Sequence, residues 1–152
     1  MRAVVDTNVW ISAVLNRTGP PAAVHAALQR GRFVLISSEP LLAELTVVLA
    51  RPRFAHRYGV TSADITNLVT LLRERAEIVL IDGTIHLCRD PDDDMVIETA
   101  LNGRADALVT RDDDLKGESD VQAILAQRGI AVLTVSKFLS ALEGTGTKRD
   151  DA

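Results

Sequence analysis

A single cysteine, Cys88, is all that this chain of 152 residues contains. A disulfide framework within the chain and a cysteine-rich zinc site are therefore excluded, and the usage fits a reducing, cytoplasmic setting. Aromatic residues amount to only 3%, which disfavours base stacking as the main way of holding a nucleic acid. No stretch approaches ~18 uninterrupted apolar residues and no basic, apolar leader opens the sequence, so neither a membrane span nor secretion is expected. Positive charge is not in excess either. The formal net charge of −4 argues mildly against a generic polyanion binder, although a cluster of acids that holds cations is compatible with it. Nucleophile elbows of the Gly-x-Ser-x-Gly type, phosphate-binding Gly-Lys-Ser/Thr loops and Gly-x-Gly-x-x-Gly turns are missing. The three histidines, His25, His56 and His86, show no metal-ligand spacing and read as packing or surface residues.

What is present reads as one soluble α/β domain. Short apolar runs without polar alternation, Arg2–Val5, Phe33–Ser37, Glu77–Ile81, Ala107–Thr110 and Ala131–Leu133, have the look of strands buried on both faces. Helical patterns lie between them. Val9–Leu15 is a short buried helix, and Pro20 or Pro21 starts a second one that ends near Gln29 and is closed by Gly31. Ser38-Glu39-Pro40 starts a third, whose apolar stripe is Leu41, Leu42, Leu45, Val48 and Leu49. Arg51 to Arg57 reads as a basic elbow, Thr61 to Asp64 caps a further helix, and an acidic run, Asp90 to Asp94, leads into another. The alternation predicts a three-layer α/β/α domain on a mainly parallel, five-stranded sheet over residues 1–142. The tail from Glu143 to Ala152 has no large apolar residue and is expected to be disordered.

In a parallel sheet, ligands and chemistry collect at the carboxyl ends of the strands. Asp6, Asp94 and Asp112 stand just beyond such ends or at the start of the next helix, and Glu44 borders the buried stripe of its helix. Each acid alone is ordinary cap or turn material; their joint placement is not. Four bare carboxylates in one cleft repel strongly, about 4 kcal/mol for a pair at ~4 Å and an effective dielectric near 20. Such a cluster holds a cation or shares protons, and an all-oxygen set suits Mg²⁺ or Mn²⁺. A calcium loop over Asp90–Asp94 fails, because Met95 stands where glycine is needed and Leu101 where glutamate is needed. A receiver-type phosphorylation site using Thr110 and Lys137 lacks the acidic pair at the first strand's end.

Asp6-Thr7-Asn8-Val9, Glu44 within Leu41-Leu42-Ala43-Glu44-Leu45, Asp94-Met95-Val96-Ile97-Glu98-Thr99-Ala100 and Ala107-Leu108-Val109-Thr110-Arg111-Asp112 together resemble the ordered motifs of PIN domains, over residues 1 to about 140. Similarity is greatest to bacterial PIN proteins described as toxins of toxin–antitoxin pairs, relatives of the VapC type. The resemblance implies a metal-dependent ribonuclease in which Asp6, Glu44, Asp94 and Asp112 are the acidic quartet, with Thr7, Asn8 and Thr110 as supporting polar residues. Asp6, Asp94 and Asp112 would ligate one or two Mg²⁺ or Mn²⁺ ions directly or through water, and Glu44 would complete the shell or orient the attacking water. Asp93 is the reserve for the third acid. Arg51, Arg53 and Arg57, with His56, are candidates for guiding RNA or for meeting a partner. An antitoxin and a second copy of the chain are the partners implied.

Overall fold

The computed structural model describes residues 1–88, 90–111 and 119–150, the side chains of 119 and 145–150 excepted. Its elements in chain order are β1 (Arg2–Val5), α1 (Thr7–Leu15), α2 (Pro20–Gln29), β2 (Val34–Ser37), α3 (Glu39–Leu49), α4 (Pro52–Tyr58), α5 (Ser62–Arg75), β3 (Glu77–Ile78), α6 (Pro91–Asn102), β4 (Ala107–Val109), α7 (Ser119–Gln127), β5 (Ala131–Leu133) and α8 (Val135–Asp150). The sheet order is β3-β2-β1-β4-β5, and all pairs are parallel. This is the three-layer α/β/α arrangement that the strand and helix alternation predicts.

Side-chain alternation along β1 divides the core. Ala3 and Val5 face one layer with Leu35, Ala107 and Val109, packed by α1, α2, α3, α5 and α8. Val4 faces the other with Ile36 and Leu108, packed by α6 and α7. Burial on both faces explains why the central positions of β1, β2 and β4 are apolar. Phe33 and Phe138 meet edge to face at 5.0 Å and tie α8 to the sheet. Each such buried side chain contributes about 1.5–3 kcal/mol of transfer free energy.

Two expectations change. The third strand, read as Glu77–Ile81, pairs only over Glu77–Ile78, with one further bond from Val79 N to Ser37 O at 2.9 Å. β2 ends at Ser37, so the chain beyond has no neighbour to pair with, and Leu80 is 91% exposed. The elbow at Arg51 is a short helix, started by Pro52 and stopped by Gly59 at φ 68°. The backbone of α8 runs past Glu143 to Asp150. Once a helix is nucleated by packed residues such as Phe138 and Leu142, each added residue needs only one more backbone bond.

The long connection between β3 and α6 is held by two carboxylates on α6. Glu98 accepts from Asp82 N and Gly83 N at 2.6 and 3.0 Å, and Asp94 Oδ1 accepts from Leu87 N and Cys88 N at 2.8 and 2.7 Å. Both acids are buried, so these bonds satisfy loop amides where water has little access. Where α6 ends, Gly103 lies against β2. A Cβ there would stand 2.3 Å from Ile36 Cγ2 and 3.0 Å from Thr99 O. Its φ of −84° is open to any residue, so glycine serves close approach here. Gly103→Ala is expected to destabilise the fold by about 1–3 kcal/mol. Urea denaturation checks this, with a lower midpoint at unchanged slope.

Candidate active site

The sheet order makes β1 and β4 neighbours while their following segments leave toward different sides, which opens a crevice at their carboxyl ends. Asp6 stands in it. Asp6 N is bonded to Val109 O at 2.9 Å, so the last turn of the ladder fixes its backbone. Asp6 occupies the N-cap position of α1, yet its side chain makes no capping bond. Its oxygens are engaged elsewhere. Thr110 Oγ1 donates to Oδ2 at 3.0 Å and Thr7 Oγ1 donates to Oδ1 at 3.3 Å. Asp6 is 3% exposed and Thr110 fully buried. Two hydroxyl donors thus orient the carboxylate at the start of α1.

A cleft of about 290 Å³ opens beside Asp6, Thr7 and Asn8, walled by Glu44 and Val48 of α3. Arg51, Arg53 and Phe54 close one side and Asp90, Asp92 and Asp93 another. The predicted residues Asp6, Thr7, Asn8, Glu44, Arg51 and Arg53 are thus brought together. Asp94 does not line this cleft; its carboxylate serves the amides of Leu87 and Cys88. The reserve residue Asp93 does line it. Arg57 lies apart from the cleft lining, with its guanidinium 5.4 Å from the Tyr58 ring centre. Asp112 lies outside the described residues.

Asp92 and Asp90 are additions that the sequence reading left aside. The available signal is Pro91: as first residue of α6 it places Asp90 at the cap and Asp92 in the first turn. Asp90 Oδ1 accepts from Asp92 N at 2.9 Å, and that turn presents the acids across from α3. Their effect is felt at Glu44. Burial first, then the negative charges of Asp92 and Asp6, push its carboxyl up to about 7. Glu44 Oε2 is buried and has no hydrogen-bond partner among the described residues. A buried carboxylate oxygen facing other carboxylates is costly unless it is protonated or meets a cation.

The PIN domain profile matches residues 2–114, about three quarters of the chain, and spans every acid discussed above. The chain belongs to the PIN-domain family. PIN domains are commonly nucleases and generally use divalent metal ions. The uncharacterized protein MJ1680 of Methanocaldococcus jannaschii is 27% identical over 145 residues, 94% of this chain and 92% of the relative. The likeness therefore continues past residue 114 into the part of the PIN protein that carries β5 and α8. Among the described residues, no group of three His, Cys, Asp or Glu side chains is arranged to hold a metal ion, nor is any helix long and apolar enough to cross a membrane.

The raised Glu44 sets a pH dependence in cation-free protein. A folded-state value of about 7 lies above the ordinary 4.5, so folding favours the neutral acid. That contribution is fully present below the ordinary value and is lost as pH rises through the folded one. Glu44 is half-buried, so after solvent screening the loss is on the order of 1–2 kcal/mol. Thermal melts in EDTA are expected to fall by several degrees from pH 5 to pH 8. Glu44→Gln is expected to flatten that slope; an equally steep slope in the variant would place its cause elsewhere.

Proposed function

We propose that this PIN domain is a metal-dependent ribonuclease that hydrolyses RNA phosphodiester bonds. The observation that carries the reading is the half-buried Glu44 carboxyl, which faces Asp92 and Asp6 and whose Oε2 is buried without a hydrogen-bond partner among the described residues. The carboxylates of Asp6, Glu44, Asp90, Asp92 and Asp93 line the cleft, the donor chemistry of Mg²⁺ or Mn²⁺. Asp6 and Asp92 are the residues best placed to hold such an ion, with Glu44 and Asp93 beside them and Asp112 as the further acid implied by the family motif. A divalent cation, when bound, supplies charge neutralisation at the phosphate and lowers the pKa of water.

The chain's own residues do the remaining work. Thr7 and Thr110 hold the Asp6 carboxylate in one orientation. Glu44, with a proton affinity near neutrality, can accept the proton of an attacking water, a role that favours a pKa near the working pH. Arg51 and Arg53 meet the phosphate backbone and offset the repulsion between RNA and the acids. No histidine is needed for this chemistry. Within the same reading we place the protein in the cytoplasm as the toxin of a toxin–antitoxin pair, on the strength of the Arg89–Asp94 run and the Leu49–Phe54 segment. An antitoxin protein and a second copy of the chain are its proposed partners.

Cleavage of a panel of labelled structured and unstructured RNAs tests the activity. Products are expected with Mg²⁺ or Mn²⁺, none with EDTA, and at least about a hundredfold slower turnover for Asp6→Asn. Metal-dependent cleavage that survives Asp6→Asn unchanged would sink the assignment. Asp92 and Asp94 separate by readout. Asp92→Asn is expected to lower metal-dependent turnover with little change in melting temperature. Asp94→Asn is expected to destabilise the protein by about 1–3 kcal/mol, through the amides of Leu87 and Cys88. The opposite pattern would return Asp94 to the metal site.

A further inference from the structure

A second hollow, about 390 Å³, lies beside the acid cleft at the same edge of the sheet. Its polar lining is Ser12, Asn16, Thr110, Arg111, Thr134 and Ser136. Two elements are shared between the hollow and the cleft. Thr110 lines the hollow and donates to Asp6 Oδ2 at 3.0 Å. Helix α1 turns Asn8 and Ile11 toward the cleft and Ser12, one turn after Asn8, toward the hollow.

We propose that this hollow is a subsite for a backbone phosphate of the RNA strand, next to the phosphate that is cut. The proposal rests on the ribonuclease reading and extends it to residues that neither the acidic motifs nor the basic elbow include. Charge supplies the first reason. The cleft is lined by acids, so a polyanion crossing it needs cations on the way in and on the way out. Arg51 and Arg53 come from the chain that follows β2, on one side of β1; Arg111 follows β4, on the other side. Asp6, at the end of β1, stands between the two.

Hydrogen-bonding capacity supplies the second reason. Arg111 Nη1 donates to Ser12 Oγ, a neutral acceptor, which aims the guanidinium into the hollow without cancelling its charge. Ser12 still has its own O–H to give. Thr134 Oγ1 accepts from Lys137 N at 3.2 Å and likewise keeps its O–H as a donor. Ser136 is exposed beside it. A guanidinium with hydroxyl donors around it is the donor set that a phosphodiester takes.

The test measures binding of a labelled single-stranded RNA to Asp6→Asn protein over a range of salt. Arg111→Gln is expected to weaken binding about three- to tenfold and to reduce the slope of log K against log salt by about 0.7, the value of one phosphate contact on a single strand. Ser136→Asp is expected to weaken binding at least as much while leaving the melting temperature unchanged or higher, because an acid in the first turn of α8 favours the helix. Arg128→Gln, at the opposite edge of the sheet, should change neither quantity. If RNA binds and wild-type protein cuts it, but Arg111→Gln and Ser136→Asp leave affinity and slope as they were, the subsite is wrong and the nuclease stands. Lost affinity at an unchanged slope with a lower melting temperature would also overturn it, by showing a structural role. RNA that is neither bound nor cut overturns both.

Discussion

The hydrogen bond between Thr110 and Asp6 depends on the parallel register of β1 and β4, and the candidate site depends on that bond. Val5 pairs with Val109, so the next residue of each strand, Asp6 and Thr110, emerges at the same height. A slip of one residue would turn the whole strand over, exchanging the faces of Ala3, Val4 and Val5. Fully buried Val4, Leu108 and Val109 make such a slip prohibitive. The apolar core thereby fixes the position of the Asp6 carboxylate. Function at this edge is a by-product of packing deeper in the sheet.

Repulsion among acids is the second constraint. Where carboxylates have amide partners, as Asp94 and Glu98 do, the chain has used them to hold the connection after β3. Where they lack such partners, as at Glu44, the proton affinity rises and a cation becomes the natural counterpart. Two acids only four residues apart on α6, Asp94 and Glu98, thus accept from amides of that connection. Two in its preceding turn, Asp90 and Asp92, act on the cleft. Amide supply separates the roles more clearly than position in the chain does.

That distinction also explains what could be read from residues alone. Asp6 and Thr110 were legible because each directly ends an apolar run, and Glu44 because it borders a helical stripe. Within Asp92-Asp93-Asp94 no pattern of neighbours tells which carboxylate meets backbone amides, because those amides belong to Leu87 and Cys88 in a connection without periodicity. The apolar residues Val79, Leu80 and Ile81 looked like a strand since nothing local records that β2 ends at Ser37. The sheet was legible from its buried centre outward, and legibility faded at its edge.

The hollow at Arg111 was not legible at all, and the reason is topological. Ser12 follows β1, Arg111 follows β4 and Ser136 follows β5, so the three are more than a hundred residues apart at the extremes and share no motif. Parallel strands bring their carboxyl ends to one edge whatever their separation in the chain. An edge assembled in that way collects side chains from every crossover, acidic ones over β1 and α6 and donor-rich ones over β4 and β5. A strand of RNA laid along the edge would meet both kinds in turn, which gives a chain of net negative charge a means to admit a polyanion.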